Sequence, residues 1–115
     1  MQIQFTIDDP GRADELVEQL LVDRLVACGQ RVGPVVSRYW WHGALARAEE
    51  WLVLLKTQAG LAPAVVEAVV AAHPYETPEV VVLDVVAAAP GYRAWIEEVT
   101  APATTVVANR EMEER

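Results

Sequence analysis

The octapeptide HPYETPEV, residues 73–80, sets an imidazole and two carboxylates close together in a chain otherwise rich in alanine and valine. Imidazole nitrogen suits copper(II) or zinc(II). Cys28, the single cysteine, is the one soft donor. His73, Cys28, Glu76 and Glu79 are therefore the candidate metal residues, with copper(II) or another divalent cation as the candidate ion and no obligatory cofactor. No His-x-x-x-His, Cys-x-x-Cys or His-Glu-x-x-His spacing occurs, so no single segment makes a complete site. Any metal held here draws donors from distant segments or from several chains. The same residues also have a purely structural reading. Pro74 stops a helix, Pro78 holds an extended approach to a strand, and Tyr75 buries its ring with its hydroxyl bonded. His73 then bonds a helix-end carbonyl, and Cys28 is a small buried hydrophobe.

Other chemistry finds less support. There is no glycine-rich phosphate loop and no placeable serine–histidine pair, so no catalytic residues and no enzyme are expected. Lys56 is the only lysine, on an otherwise apolar strand. It reads either as an anion anchor or as the partner of Glu49, Glu50 or a neighbouring chain's carboxylate. A net charge of −8 repels phosphate backbones, which argues against nucleic acid. No run of about 18 uncharged apolar residues occurs, so no membrane span is expected. The N-terminal residues lack a basic stretch followed by an apolar one, and a lone cysteine fits a reducing compartment. The expected location is cytoplasmic.

The elements that position these groups follow from periodicity. Residues 2–8 alternate, with Ile3, Phe5 and Ile7 on one face. Asp9-Pro10 reads as N-cap and first helical position, and the helical spacing continues to about Ala27, with Cys28-Gly29 at its end. Residues 33–42 are β-branched and aromatic, Gly33-Pro34 marking an irregular or edge start. His42-Gly43 makes a hairpin turn, and the return strand reaches Thr57. A second helix starts near Pro63 and ends near Ala72. A strand spans 79–87, and a short helix carries Tyr92, Trp95, Ile96 and Val99. The order β-α-β-β-α-β with a C-terminal helix predicts an α+β, ferredoxin-like sandwich over residues 1–100. Residues 101–115 read as a poorly ordered extension or a partner-contacting arm, which leaves room for a protein partner.

A ferredoxin-like sheet has one face free of helices, and its strands should alternate. Here Leu52 and Leu54 oppose Trp51, Val53 and Leu55, and Val81, Leu83 and Val85 oppose Val80, Val82 and Val86. Such a patch marks an interface. The edge strands of a 4-1-3-2 sheet, the second and fourth, differ in sequence. Pairing them across chains is heterologous, and it forms a ring if the rotation closes or a filament if it does not. Leu54 and Val82 are assigned to the covered face, and Gln4 and Thr6 form a polar patch on it, bonded across chains or to water. Tyr39, Trp40, Trp41, Lys56, Tyr75 and Trp95 are the cleft or interface candidates.

LVACGQ (25–30), SRYWWHG (37–43), EEWLVLLKT (49–57), HPYETPEVVVL (73–83) and YRAWIEEVT (92–100) occur in the order and spacing of the CutA proteins. The chain resembles that family, the divalent-cation tolerance proteins, over about residues 1–100. The resemblance implies a small cytoplasmic trimer of ferredoxin-like subunits, linked to tolerance of copper and other divalent metals, without established catalysis. This sequence departs from the family pattern at Gly29-Gln30, at Gly33-Pro34, at His42 and at Asp84. The function expected is a response to metal ions with weak divalent-metal binding. The alternative is a regulatory, signal-transduction trimer that binds a small anion in clefts between subunits, through Lys56, Arg38 and Tyr75.

Overall fold

The computed structural model describes residues 1–102. In chain order the elements are β1 (Gln2–Ile7), α1 (Pro10–Val22), β2 (Cys28–Trp41), β3 (Ala44–Lys56), a 3-10 turn (Ala59–Leu61), α2 (Ala62–Ala72), β4 (Val80–Leu83) and α3 (Pro90–Val99). The strands lie in the order β2-β3-β1-β4, and every pairing is antiparallel. This is the ferredoxin-like sandwich predicted from the element order. From residue 103 onward, the tail expected over 101–115 lies outside the described residues.

The alternation of β1 sets the layers. Ile3 and Phe5 are fully buried and Ile7 nearly so. They pack with Val53 and Leu55 of β3, Ala13 and Leu20 of α1, and Ala62, Val65 and Val69 of α2. Asp9 starts α1 by accepting the amides of Gly11 and Arg12 on Oδ1, at 2.9 and 3.3 Å, with Pro10 in the first turn. The register assigns the opposite face. Gln2, Gln4 and Thr6 sit across from Lys56, Leu54 and Leu52, and Leu83 and Val81 flank Gln2 and Gln4. No α1 or α2 residue of the buried core lies on this side.

Four expectations are corrected. First, α1 stops at Val22, because Arg24 takes a left-handed conformation (φ 59°). The amide of Leu25 then bonds the carbonyl of Leu20, and that of Arg24 bonds Leu21, which is a Schellman closure. Second, Cys28 and Gly29 open β2 instead of ending the helix, and Gly33-Pro34, a cis peptide, lies in a bulge between Val32 and Val35. Third, β4 ends at Leu83 and not at Ala87. Its last rung faces Gln2, where β1 begins, so residues 84–87 meet no neighbouring strand among the described residues. Fourth, Val82 lies across from Ile3, on the helix side. Val81 and Leu83 are the β4 residues on the free face.

Candidate functional site

The loop between α2 and β4 folds against the end of the sheet through His73. Its Nε2 lies 2.7 Å from the carbonyl oxygen of Thr6, and its Nδ1 accepts the amide of Tyr75 at 3.1 Å. A carbonyl only accepts and an amide only donates, so the ring carries its proton on Nε2. The imidazole is buried, edge-on to both Phe5 and Tyr75. Both nitrogens are engaged, so coordination through His73 requires breaking one of these bonds. The helix-end carbonyl predicted as the partner of His73 is replaced by the carbonyl of Thr6 in β1, so the ring ties the end of α2 to the sheet.

Tyr75 is thereby aimed at β3. Its hydroxyl donates to Oε2 of Glu50 at 3.0 Å. Burial, then the bond to and charge of Glu50, push the phenol far above the usual tyrosine range. It remains a donor at any physiological pH. On β1, the hydroxyl of Thr6 donates to Oε2 of Glu79 at 3.2 Å. The polar patch predicted at Thr6 is therefore bonded within the chain.

These groups border a cavity of about 690 Å³. Glu76, Thr77, Pro78 and Glu79 of the loop form one side, and Ser37, Arg38, Tyr39 and Trp41 of β2 the other, with Thr6 and Glu50 between them. The ladder explains why there is space. Ser37, Tyr39 and Trp41 face Ala48, Ala46 and Ala44 across the hairpin, so a row of methyl groups opposes large rings. The hairpin turn is as predicted, with His42 at φ 48° and Gly43 at φ 79°. Trp40 alternates outward and is largely exposed.

The other candidates lie elsewhere. Cys28 pairs with Lys56, and Lys56 is six residues along β3 from Glu50, about 20 Å at the usual strand rise. Cys28 therefore does not join the carboxylates within one chain. Its sulfur lies 3.4 Å from the hydroxyl of Tyr92 in α3. That bond, followed by burial, raises the Tyr92 phenol to about 12. Trp95 stacks at a tilt on Tyr92 with ring centres 5.7 Å apart, and both remain partly exposed. Lys56 makes no ion pair among the described residues, and it is not on the cavity. No group of His, Cys, Asp or Glu that could hold a metal forms among the described residues. The residues missed from sequence are Thr6 as a wall group and Glu50 as the buried acid. The available signal is Ala44, Ala46 and Ala48 alternating up to Glu50.

The family pattern described as CutA1 divalent ion tolerance protein matches residues 1–99. The chain belongs to this family. It is 33% identical over 91 residues to the divalent-cation tolerance protein CutA of Escherichia coli, covering 79% of this chain and 81% of that one. It is 38% identical over 88 residues to mouse protein CutA, covering 76% of this chain but only 50% of the mouse protein. Among solved structures, CutA1 of Thermus thermophilus superposes with a TM-score of 0.83 at 32% identity, over 88% of this chain and 100% of that one. CutA of Xylella fastidiosa gives 0.84 at 31% identity, over 87% and 96%.

Proposed function

We propose that this chain acts in divalent-cation tolerance as a cytoplasmic homotrimer that binds divalent metal weakly, copper(II) among them, and catalyses no reaction. Membership of the CutA1 family over residues 1–99 carries the tolerance reading. Weak binding follows from the donor arrangement. Glu50, Glu76 and Glu79 border one cavity without converging into a ligand set among the described residues, so further donors must complete any coordination. Two features support assembly. Leu52, Leu54, Val81 and Leu83 crowd a sheet face that the buried core leaves uncovered. Among the described residues the outer edges of β2 and β4 have no partner strand, and Val86, just beyond β4, is 97% exposed. Pairing these unlike edges is heterologous, and a rotation that closes after three copies gives the proposed ring.

Calorimetry of the purified protein against copper(II) and zinc(II) tests the metal reading. Saturable binding in the mid-micromolar range or weaker is expected, and a nanomolar one-to-one site would contradict it. Sedimentation tests the assembly, and a monomer at micromolar concentration would refute it. A host lacking its own family member should recover copper tolerance when supplied with this chain. The second reading, a regulatory trimer with a small-molecule cleft, is favoured by the cavity itself: about 690 Å³ with aromatic walls is in the size range of ligand sites.

A further inference from the structure

We infer that the cavity between the β2–β3 hairpin and the 75–79 loop is a site for a small organic cation, an ammonium or guanidinium group on an apolar body. This rests on the small-molecule cleft reading and names its ligand class. The sign of the charge comes first. Glu50, Glu76 and Glu79 border the cavity against the single guanidinium of Arg38. Lys56, the natural anion anchor, is not among the lining residues. An anion entering here would face an excess of carboxylate.

The second observation is the state of Glu50, whose residue surface is only 6% exposed. One oxygen accepts from Tyr75, whose phenol stays protonated. The other has no hydrogen-bond partner among the described residues. No side-chain oxygen there is both fully buried and unsatisfied, so this oxygen keeps accessible surface, on a residue that lines the cavity. A buried carboxylate with one oxygen fixed and one open is an acceptor waiting for a charged donor. Glu79 is exposed, and one of its oxygens accepts from Thr6.

The third is the wall. Tyr39 and Trp41 stand side by side on one face of β2, opposite alanines, and are 42% and 45% exposed. Aromatic faces beside carboxylates attract cations through the ring quadrupole, and guanidinium also stacks on them. The apolar body of the ligand would lie along the alanine row.

The test is calorimetry of the full chain, in its native assembly, with n-butylguanidinium, n-butylammonium, butyrate and zinc(II). At least one butyl cation should bind saturably and about tenfold or more tighter than butyrate. Glu50→Gln keeps an oxygen for Tyr75 and removes the charge. It should weaken the cation by about tenfold while sedimentation stays that of the parent. Tyr39→Leu, away from the buried core, should also weaken it, and serves if Glu50→Gln fails to assemble. Butyrate binding as tightly as the cations would overturn the cation assignment but leave a ligand cleft standing. If no organic probe binds while zinc(II) does, both ligand readings fall and the metal reading survives. Cation binding unchanged in both variants would also overturn the proposal, because the ligand would then sit elsewhere.

Discussion

Replacing Gly29 with alanine adds one methyl group where there is no space for it. An ideal Cβ at Gly29 falls 2.5 Å from Cγ1 of Val17, 3.2 Å from its Cγ2 and 3.2 Å from Cδ2 of Leu55. The backbone angle is ordinary, so the effect is purely one of packing. Leu55 can yield by a small rotation. Val17 cannot do so easily, because a β-branched side chain in a helix holds one rotamer. Either α1 moves away from β2 or Val17 leaves its rotamer, at a typical overpacking cost of about 1–3 kcal/mol. The alanine returns about 0.4–1 kcal/mol by stiffening the unfolded chain. A net loss of about 1–2 kcal/mol is expected, a Tm lower by roughly 4–8 °C per kcal/mol for a chain of this size. Denaturant and thermal unfolding at fixed protein concentration measure it, since the proposed assembly would add its own mass-action term. Val17→Ala removes the offending methyls, so the double variant should recover about 1 kcal/mol of what additivity forbids. A Gly29→Ala protein as stable as the parent, or a double variant that is strictly additive, would refute the close approach of α1 to β2.

Tyr75→Phe should cost about 1–2 kcal/mol in denaturant unfolding, because Glu50 keeps its burial and loses its donor. In the parent, both phenols are held protonated in the fold, Tyr92 up to about 12 and Tyr75 further. Their contribution is complete below the unfolded tyrosine value of about 10 and is lost as pH rises from there. Unfolding midpoints should therefore fall above about pH 10, less steeply in Tyr75→Phe. Leu54→Arg puts a charge on the free sheet face and should dissociate the assembly by sedimentation, with a loss of solubility. Cys28→Ser should leave sedimentation unchanged, since Cys28 contacts Tyr92 of its own chain.

How much of this the residues announce varies from element to element. The alternation of β1, the Asp9-Pro10 start of α1 and the His42-Gly43 turn each have one dominant local cause, and each is legible. The end of α1 is not. Helical spacing runs on through Leu25, and the left-handed residue that stops the helix is arginine, not glycine. Gly29 suggests a helix cap, but its role is close contact with α1, which only the tertiary structure reveals. The length of β4 is set by where β1 runs out, not by its own valines. For the site, Glu76, Glu79 and Tyr75 stand out in the sequence with Tyr39 and Trp41, and the fold brings these to one cavity. Cys28 and Lys56 group with them by chemistry alone, and the register separates them from it. Glu50 is visible only as a polar residue in a greasy strand. Its burial depends on Tyr75, which arrives from the far side of α2.

The β2–β3 hairpin has one more consequence. Between Ala44 and Glu50, β3 pairs with no strand but β2 among the described residues, so residues 35–41 and 44–50 form a two-stranded ribbon. Trp40 and Leu45 on its outward face are 72% and 73% exposed. A two-stranded ribbon alone is marginal in water. Tyr39 and Trp41 are carried on it, so the cavity wall is only as firm as whatever covers the other side. If subunits provide that cover, occupancy of the cavity and association of chains are linked functions. A ligand that favours the ordered ribbon must tighten the assembly by the same factor by which assembly tightens the ligand. Dilution then acts as an antagonist, and the apparent affinity for the ligand falls as the protein concentration is lowered through the dissociation range of the assembly.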